Sequence, residues 1–306
     1  MLILLTGSSG FLGREILSIL NPNSVKVVKR GQSSVIGCQE SYSIDKLDSK
    51  TNWSGAFSGV DCVLHLAAVA HKHDELNTTY DEINTRGTLN LALAAAHAGV
   101  KRFVFVSSIG VNGSTTKNNK FTVASKPSPH SHYARSKYEA EVGLKKISDE
   151  TGLEIVIVRP PLVYGLNAPG NFGMLTKFIH RFPILPFGLA RNQRDFISLP
   201  NLADLLVVCT SHPKAAGHTF LASDNDPVSI KELTNAIADG LGKRVIQLPI
   251  PKFIMHFLGK MAGKSTVIDQ LFGDLRVDSS NLRETLDWTP PFTMKQVMSS
   301  LRNSGK

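Results

Sequence analysis

The stretch Leu2-Ile3-Leu4-Leu5-Thr6-Gly7-Ser8-Ser9-Gly10-Phe11-Leu12-Gly13 decides the fold. An apolar, strand-forming run enters a turn with glycines at positions 7, 10 and 13, and a helical pattern follows from Phe11 to Leu20. Glycines so placed let the chain turn tightly, let backbone amides approach a pyrophosphate, and let the helix lie close to the strand. Three glycines alone carry little weight. Their position at the first strand-to-helix junction predicts a dinucleotide-binding turn made by Gly7, Gly10, Phe11, Leu12 and Gly13.

Outward from this turn, apolar β-rich runs alternate with helical patterns. Strands are expected over Leu2 to Leu5, Val25 to Val28, Cys62 to Leu66, Phe103 to Ser107 and Glu154 to Val158, with helices near Phe11 to Leu20, Tyr80 to His97 and His132 to Ser148. Continuous apolar strands of this kind belong to parallel sheets covered on both faces. After Arg159-Pro160-Pro161 the rhythm changes, because Pro and Gly punctuate residues 160 to 188. His218 to Ala222 reads as one more strand, while Ser229 to Leu241, Lys252 to Met261 and Ser279 to Leu286 read as short helices of a smaller lobe. The expected class is α/β, a Rossmann doubly wound parallel sheet with a smaller C-terminal α/β substrate lobe. The expected division is 1–165 for an NAD(P)-binding domain, with later strands near 190–222 returning to it, and 166–306 mainly for the substrate lobe.

The 306 residues carry 34 Lys and Arg against 25 Asp and Glu, a net charge of +9. That excess is spread as +4 over residues 1–170 and +5 over 171–306, with no basic arm and no aromatic ladder, so nucleic acid is not expected as a partner. Cys38, Cys62 and Cys209 are odd in number and widely spaced, which indicates neither a disulfide framework nor zinc. The opening run has no positive n-region and no later run approaches a membrane span, so a cytoplasmic chain without an integral membrane segment is expected. Phe253, Ile254, Phe257, Leu258 and Met261, flanked by Lys252, Lys260 and Lys264, read as a helix packing its apolar face on the second lobe. A basic amphipathic helix resting on a membrane is the alternative.

Two further places carry chemistry. At the end of the second strand, where an acid would accept the 2′-hydroxyl of NAD, stand Lys29 and Arg30. Cations there favour a 2′-phosphate, so the expected cofactor is NAD(P) with NADP slightly favoured through Arg30. Tyr133 and Lys137 are four apart, on one helix face. A nearby ammonium stabilises phenolate, and Lys137 is expected to lower the Tyr133 pKa toward the working range of an acid/base.

With these motifs in place, the chain resembles the extended short-chain dehydrogenase/reductase family of the epimerase/dehydratase type. The resemblance rests on Thr6 to Gly13, His65-Leu66-Ala67-Ala68, Asn84, Ser107-Ser108, Tyr133 to Lys137 and Arg159-Pro160-Pro161-Leu162-Val163-Tyr164-Gly165. Gly170-Asn171-Phe172, Pro186-Phe187-Gly188 and Arg194-Asp195-Phe196-Ile197 narrow it toward UDP-hexose 4-epimerases and 4-keto-sugar reductases. The resemblance implies that Tyr133 exchanges a proton at C4 of a nucleotide-linked hexose while a nicotinamide exchanges hydride at the same carbon. It implies that Ser108 hydrogen-bonds the reacting oxygen and Lys137 holds the nicotinamide ribose. Leu66, Ala67, Ala68 and Pro160 are implied to line the cofactor, Arg194 to clamp a diphosphate, and Asn171 and Phe172 to form a loop touching the nucleotide. For Arg194 the alternative is a surface ion pair with Asp195; for Ser107 the preferred role is local backbone support. A homodimer is implied through helices like that bearing Tyr133.

Departures from the pattern matter as well. Sugar-nucleotide dehydratases resembling this chain carry Asp-Glu after the active-site hydroxyl, where Ile109-Gly110 stand, so elimination lacks its acid/base pair. Asn112 and Ala70 replace a tyrosine and a lysine of many epimerases. His71-Lys72-His73 lacks partners for a metal site, and no metal is expected. Epimerase and reductase both remain open. So do a reductase of non-sugar carbonyls and a non-catalytic dinucleotide-binding regulator.

Overall fold

Neighbouring side chains of the central strands enter different cores, which explains why those strands are apolar without alternation. In the first strand Ile3 and Leu5 enter one core and Leu4 the other; Cys62 and Leu64 oppose Val63, and Val104 opposes Phe103 and Phe105. Burial of such a side chain is worth about 1.5–3 kcal/mol, so truncating Leu4 to Ala costs about 2–5 kcal/mol. The structure is a computed structural model that describes residues 1–31, 40–70, 77–261 and 265–305. Cys38, His71, Lys72, His73 and Lys264 lie outside the described residues.

The strands are β1 (Ile3–Thr6), β2 (Val25–Arg30), β3 (Glu40–Ile44), β4 (Cys62–His65), β5 (Arg102–Val106), β6 (Glu154–Arg159), β7 (Leu162–Tyr164), β8 (Ile184–Leu185), β9 (Phe196–Ser198), β10 (Thr219–Leu221) and β11 (Ile246–Gln247). Seven of them form a parallel sheet in the order β10-β6-β5-β4-β1-β2-β3. The order reverses between β1 and β4. At such a switch point the carboxyl ends of the strands border a crevice that takes ligands.

Helix α1 (Phe11–Ile19) follows β1; α2 (Asn77–Tyr80), a π-helical segment Asp81–Gly87 and α3 (Thr88–His97) connect β4 to β5; and α4 (His132–Thr151) precedes β6. Ser131 caps α4 by accepting the Ala134 N–H at 3.1 Å. The helix ends at Gly152, whose left-handed φ of +77° suits a residue without Cβ. Then come α5 (Gly170–Arg181), α6 (Leu199–Ser211), α7 (Ile230–Gly240), α8 (Lys252–Met261), α9 (Ser265–Phe272), α10 (Ser280–Leu286) and α11 (Met294–Ser299).

One face of the sheet is covered by α1 and α6, the other by α3 and α4. A third core joins Tyr164, Phe172 and Ile179 with residues of α7 and α11. The sequence placed Ser279 to Leu286 in the small lobe, but Leu282, Leu286 and Trp288 complete the first core, and Trp288 Nε1 donates to Asp204 on α6 at 2.7 Å. The α8 stripe also differs from its expected role as core. Phe253, Phe257 and Met261 are exposed, and among the described side chains of α8 Met255 packs on the third core. Asp224 links the parts, accepting from Tyr164 Oη at 2.7 Å, from Asn201 Nδ2 at 2.7 Å and from the Ser198 amide.

Candidate active site

The glycine turn closes as the sequence demands. Gly7 has φ +74°, and a Cβ there would lie 2.8 Å from the Ala67 nitrogen; one on Gly13 would lie 2.2 Å from the Gly7 carbonyl oxygen. Gly10 N–H donates to that same oxygen at 3.0 Å. Gly10 also caps α1 without a side-chain hydrogen bond, and no acid occupies the first turn, so the amides beginning at Phe11 and Leu12 stay available. A bare, positively polarised helix start behind a cradle that any Cβ would fill fits a pyrophosphate.

A buried relay joins this turn to the next strand. Thr6 Oγ1 accepts the N–H groups of Leu66 and Ala67, both at 3.2 Å, and lies 2.7 Å from His65 Nδ1. His65 Nε2 lies 2.9 Å from Thr88 Oγ1, and Thr88 donates to the Asn84 carbonyl at 2.7 Å. With its proton spent on Asn84, Thr88 must accept from Nε2, so Thr6 donates to Nδ1. His65 is therefore the Nε2-protonated neutral form; burial, then the nearby charge of Lys137, hold its pKa at about 3. The network fixes Leu66, Ala67 and Ala68 beside Gly7.

Asn84 lies in the π-helical segment and clamps Val69, accepting its N–H at 2.9 Å and donating to its carbonyl at 3.0 Å. It also donates to Ser136 Oγ at 3.1 Å, tying this segment to α4. On α4, Lys137 Nζ donates to the Val106 carbonyl at 2.9 Å and stands 4.5 Å from the Phe105 ring centre. Burial pulls the ammonium down to about 7, with the charge of Glu141 opposing.

Tyr133 sits half-buried on the same helix face, its ring centre 6.0 Å from Lys137 Nζ. Its pKa corrects the sequence expectation. Burial, then Tyr80, push the phenol up to about 12. The ammonium is committed to the Val106 carbonyl and is itself depressed, so it does not offset the burial.

Ser108 accepts the Gly110 N–H at 3.0 Å, leaving its hydrogen to donate. The Pro160 carbonyl accepts the Ile109 N–H at 2.9 Å and sets this turn against the end of β6. Ser107 points inward, donating to Glu141 at 2.5 Å, so it serves a carboxylate rather than the local backbone. Glu141 in turn takes Arg159 through Nε at 2.9 Å and Nη2 at 2.5 Å. Asn112, where many epimerases have tyrosine, accepts from Arg159 Nη1 at 3.0 Å and is buried. The sequence reading missed this ion pair, although Glu141 stands one helical turn beyond Lys137.

Because the sheet is parallel, Gly7, Arg30, Leu66, Ser108 and Pro160 all emerge at one edge, from β1, β2, β4, β5 and β6, and α4 brings Tyr133 and Lys137 to the end of β5. Arg30 is exposed at the end of β2. Arg194 lies elsewhere, before β9, and no ion pair joins it to Asp195. Its Nη1 donates to the Gly273 carbonyl at 2.8 Å, and burial lowers its pKa to about 10 while Asp274 opposes. Asp195 instead accepts from Ser223 Oγ at 2.6 Å and from Val277 N–H at 2.8 Å.

A cavity of about 720 Å³ is lined by Ser114, Thr116, Arg191, Asn192, Lys252 and Gly273; Arg194 is not in its lining and reaches it through the Gly273 carbonyl. Asn171 and Phe172 begin α5 instead of forming a loop. Asn171 is exposed, whereas Phe172 is core, its ring 5.9 Å from that of Tyr164. Its face onto space is a separate cavity of about 640 Å³, shared with Lys177 and Arg302. Among the described residues, no group of three or more His, Cys, Asp or Glu is placed to hold a metal ion. No helix among them is long and apolar enough to cross a membrane.

Fold and site together define a dinucleotide-binding enzyme class with a tyrosine and lysine at the strand ends. The chain belongs to the NAD dependent epimerase/dehydratase family, whose model matches residues 3–222. It is 38% identical over 302 residues to a UDP-glucose 4-epimerase of Vibrio cholerae, covering 96% of this chain and 92% of that protein. In structure it resembles a UDP-glucose 4-epimerase of Thermotoga maritima with UDP-glucose, at TM-score 0.77 and 22% identity, covering 100% of both chains. A UDP-glucuronic acid 4-epimerase of Bacillus cereus in complex with NAD gives TM-score 0.77 at 19% identity, covering 99% of this chain and 96% of that one. These two likenesses establish the shared fold.

Proposed function

We propose that this protein is an NAD-dependent 4-epimerase of a UDP-linked hexose. The observation that carries the reading is the convergence of the phosphate turn, Ser108, Tyr133 and Lys137 at one edge of the sheet. The Vibrio cholerae relative supports the substrate class. In this reading residues 1–165 hold the cofactor, with the strands near 190–222 returning to that part, and 166–306 mainly hold the nucleotide sugar.

Gly7, Gly10 and Gly13 shape the turn that admits the pyrophosphate, and the amides beginning at Phe11 and Leu12 bind it. Leu66, Ala67, Ala68 and Pro160 wall the cofactor, and Lys137 positions its ribose. When bound, NAD supplies the hydride acceptor and donor at C4. To take the proton of the C4 hydroxyl during oxidation Tyr133 must act as phenolate, the minor form of a phenol held near 12; it returns that proton during reduction, while Ser108 Oγ donates to the same oxygen. Arg194 turns its remaining donors to the diphosphate, which suits a planar guanidinium fork. Asn171 approaches the nucleotide from the first turn of α5, and Phe172 holds that turn in place from the core.

Elimination is disfavoured because Ile109 and Gly110, which follow Ser108, supply no carboxylate to act as acid or base. Arg30 supports a second reading, an NADPH-dependent 4-keto-sugar reductase, because a cation rather than an acid ends β2, a pattern that goes with a 2′-phosphate. We place the enzyme in the cytoplasm, in keeping with its free buried Cys62 and Cys209. It pairs as a homodimer through α3 and α4, where Leu93 and Val142 are exposed.

Purified protein with UDP-glucose or UDP-N-acetylglucosamine tests the assignment. Turnover without added cofactor, together with NAD released on denaturation, supports the epimerase. Turnover that consumes NADPH establishes the reductase instead, and loss of neither activity in Tyr133→Phe overturns both.

A further inference from the structure

The apolar stripe of α8 has no place in the reaction, yet it is the least expected surface of the molecule. Phe253, Phe257 and Met261 follow one another at intervals of four, on one helix face, and are 72, 63 and 74% exposed. The face behind them is anchored, since Met255 packs into the third core beside Ile268 and Leu271 of α9. Lys252 and Lys260 stand exposed at the two ends of the helix.

Charge is as one-sided as the hydrophobicity. From Lys243 to Met261 the chain holds Lys243, Arg244, Lys252 and Lys260 and no Asp or Glu. The acid that reaches this helix is Asp269 on α9, paired with the half-buried His256 at 3.4 Å. Approaching the same segment, Ile246 and Leu248 are also exposed. Large aromatic side chains beside lysines, on a helix too short to span a bilayer, match a helix lying in the plane of a membrane interface. Lysine stems can cover apolar surface while their heads reach phosphates.

We propose that α8 docks this protein on the anionic surface of a lipid bilayer. Phe253, Phe257 and Met261 enter the boundary between headgroups and acyl chains, and Lys252 and Lys260 meet the headgroup phosphates. Charge complementarity favours this occupant over a second copy of the chain: a two-fold pairing of the face would set the same cations against each other with Asp269, already paired with His256, as the acid beside them.

Co-sedimentation of the full chain with vesicles tests this. Wild type is expected to sediment with phosphatidylcholine vesicles containing about 30% phosphatidylglycerol, weakly with phosphatidylcholine alone, and less as salt rises. Phe253→Ser with Phe257→Ser should weaken partitioning at least about tenfold. Because both residues lie outside the core, an unchanged thermal midpoint certifies the fold independently of any activity. Absence of wild-type sedimentation, or equal sedimentation of the variant, overturns the proposal. A dimer mass that the same double variant abolishes also overturns it, assigning the face to a second copy.

Discussion

Glu141→Gln removes the negative charge from the most enclosed ion pair of the site and leaves its shape nearly intact. Glu141 and Arg159 are 1% and 4% exposed, and the carboxylate accepts Ser107 Oγ at 2.5 Å, Arg159 Nε at 2.9 Å and Arg159 Nη2 at 2.5 Å. An amide keeps one acceptor oxygen but turns an NH₂ donor toward donors. With its oxygen at the Oε1 position the amide still accepts Arg159 Nε, but its NH₂ faces Arg159 Nη2, and Arg159, otherwise held by Asn112 Oδ1, has no neutralising partner. Breaking a buried pair in this way costs about 3–5 kcal/mol, because the surviving charge stays desolvated.

For a chain of this size about 1 kcal/mol moves the thermal midpoint by about 2 °C, so the variant should melt about 6–10 °C below wild type. Differential scanning calorimetry reads the shift. The double variant Glu141→Leu with Arg159→Met removes both charges and should recover a large part of it, short of the partners lost by Ser107 and Asn112. A Glu141→Gln midpoint within about 2 °C of wild type would show that the pair is solvated or dispensable, and the reasoning would fail.

Two other predictions test neighbouring features. Gly13→Ala, whose Cβ would meet the Gly7 oxygen at 2.2 Å, should cost about 1–3 kcal/mol and strip bound cofactor, whereas Gly10→Ala, at 3.1 Å from the same oxygen, should be milder. Equal midpoints and equal cofactor content, by calorimetry and by absorbance of the denatured extract, would refute that ordering. Lys137 titrates near 7 in the folded chain against 10.5 as the ordinary value, so between those values the unfolded chain holds a proton the native one has released. Its contribution to stability is therefore present above about 10.5 and is lost as pH falls through about 7, at up to about 1.4 kcal/mol per pH unit. Urea unfolding of wild type and Lys137→Met should diverge along that slope, and parallel curves from pH 7 upward would contradict it.

Much of this architecture could be read from residues because its causes are local. The runs at Ile3–Thr6 and Arg102–Val106 are buried on both faces, and a glycine turn states its geometry in its spacing. Edge strand β3, Glu-Ser-Tyr-Ser-Ile, escaped because a strand exposed along most of its length needs no apolar signature. The helix at 81–87 was expected, but not its π winding, which the Asn84 clamp accompanies. Polar networks escaped for another reason. Neither the Thr6–His65–Thr88 relay nor the Glu141–Arg159 pair has a periodicity, since each joins residues 18 to 59 positions apart on different elements. For α8, sequence could supply the apolar stripe but not the side that faces solvent, because an interfacial helix and a core helix share one pattern.

The return of α10 to the first core has a bearing on how the protein is made. Leu282, Leu286 and Trp288 fill the core on the sheet face that carries Ile3 and is shared with Ile16 of α1, with Trp288 fastened to Asp204. On a ribosome the N-terminal portion of a chain normally folds first. A nascent chain stalled before α10 would lack Leu282, Leu286 and Trp288 over that face and would expose part of it to chaperones.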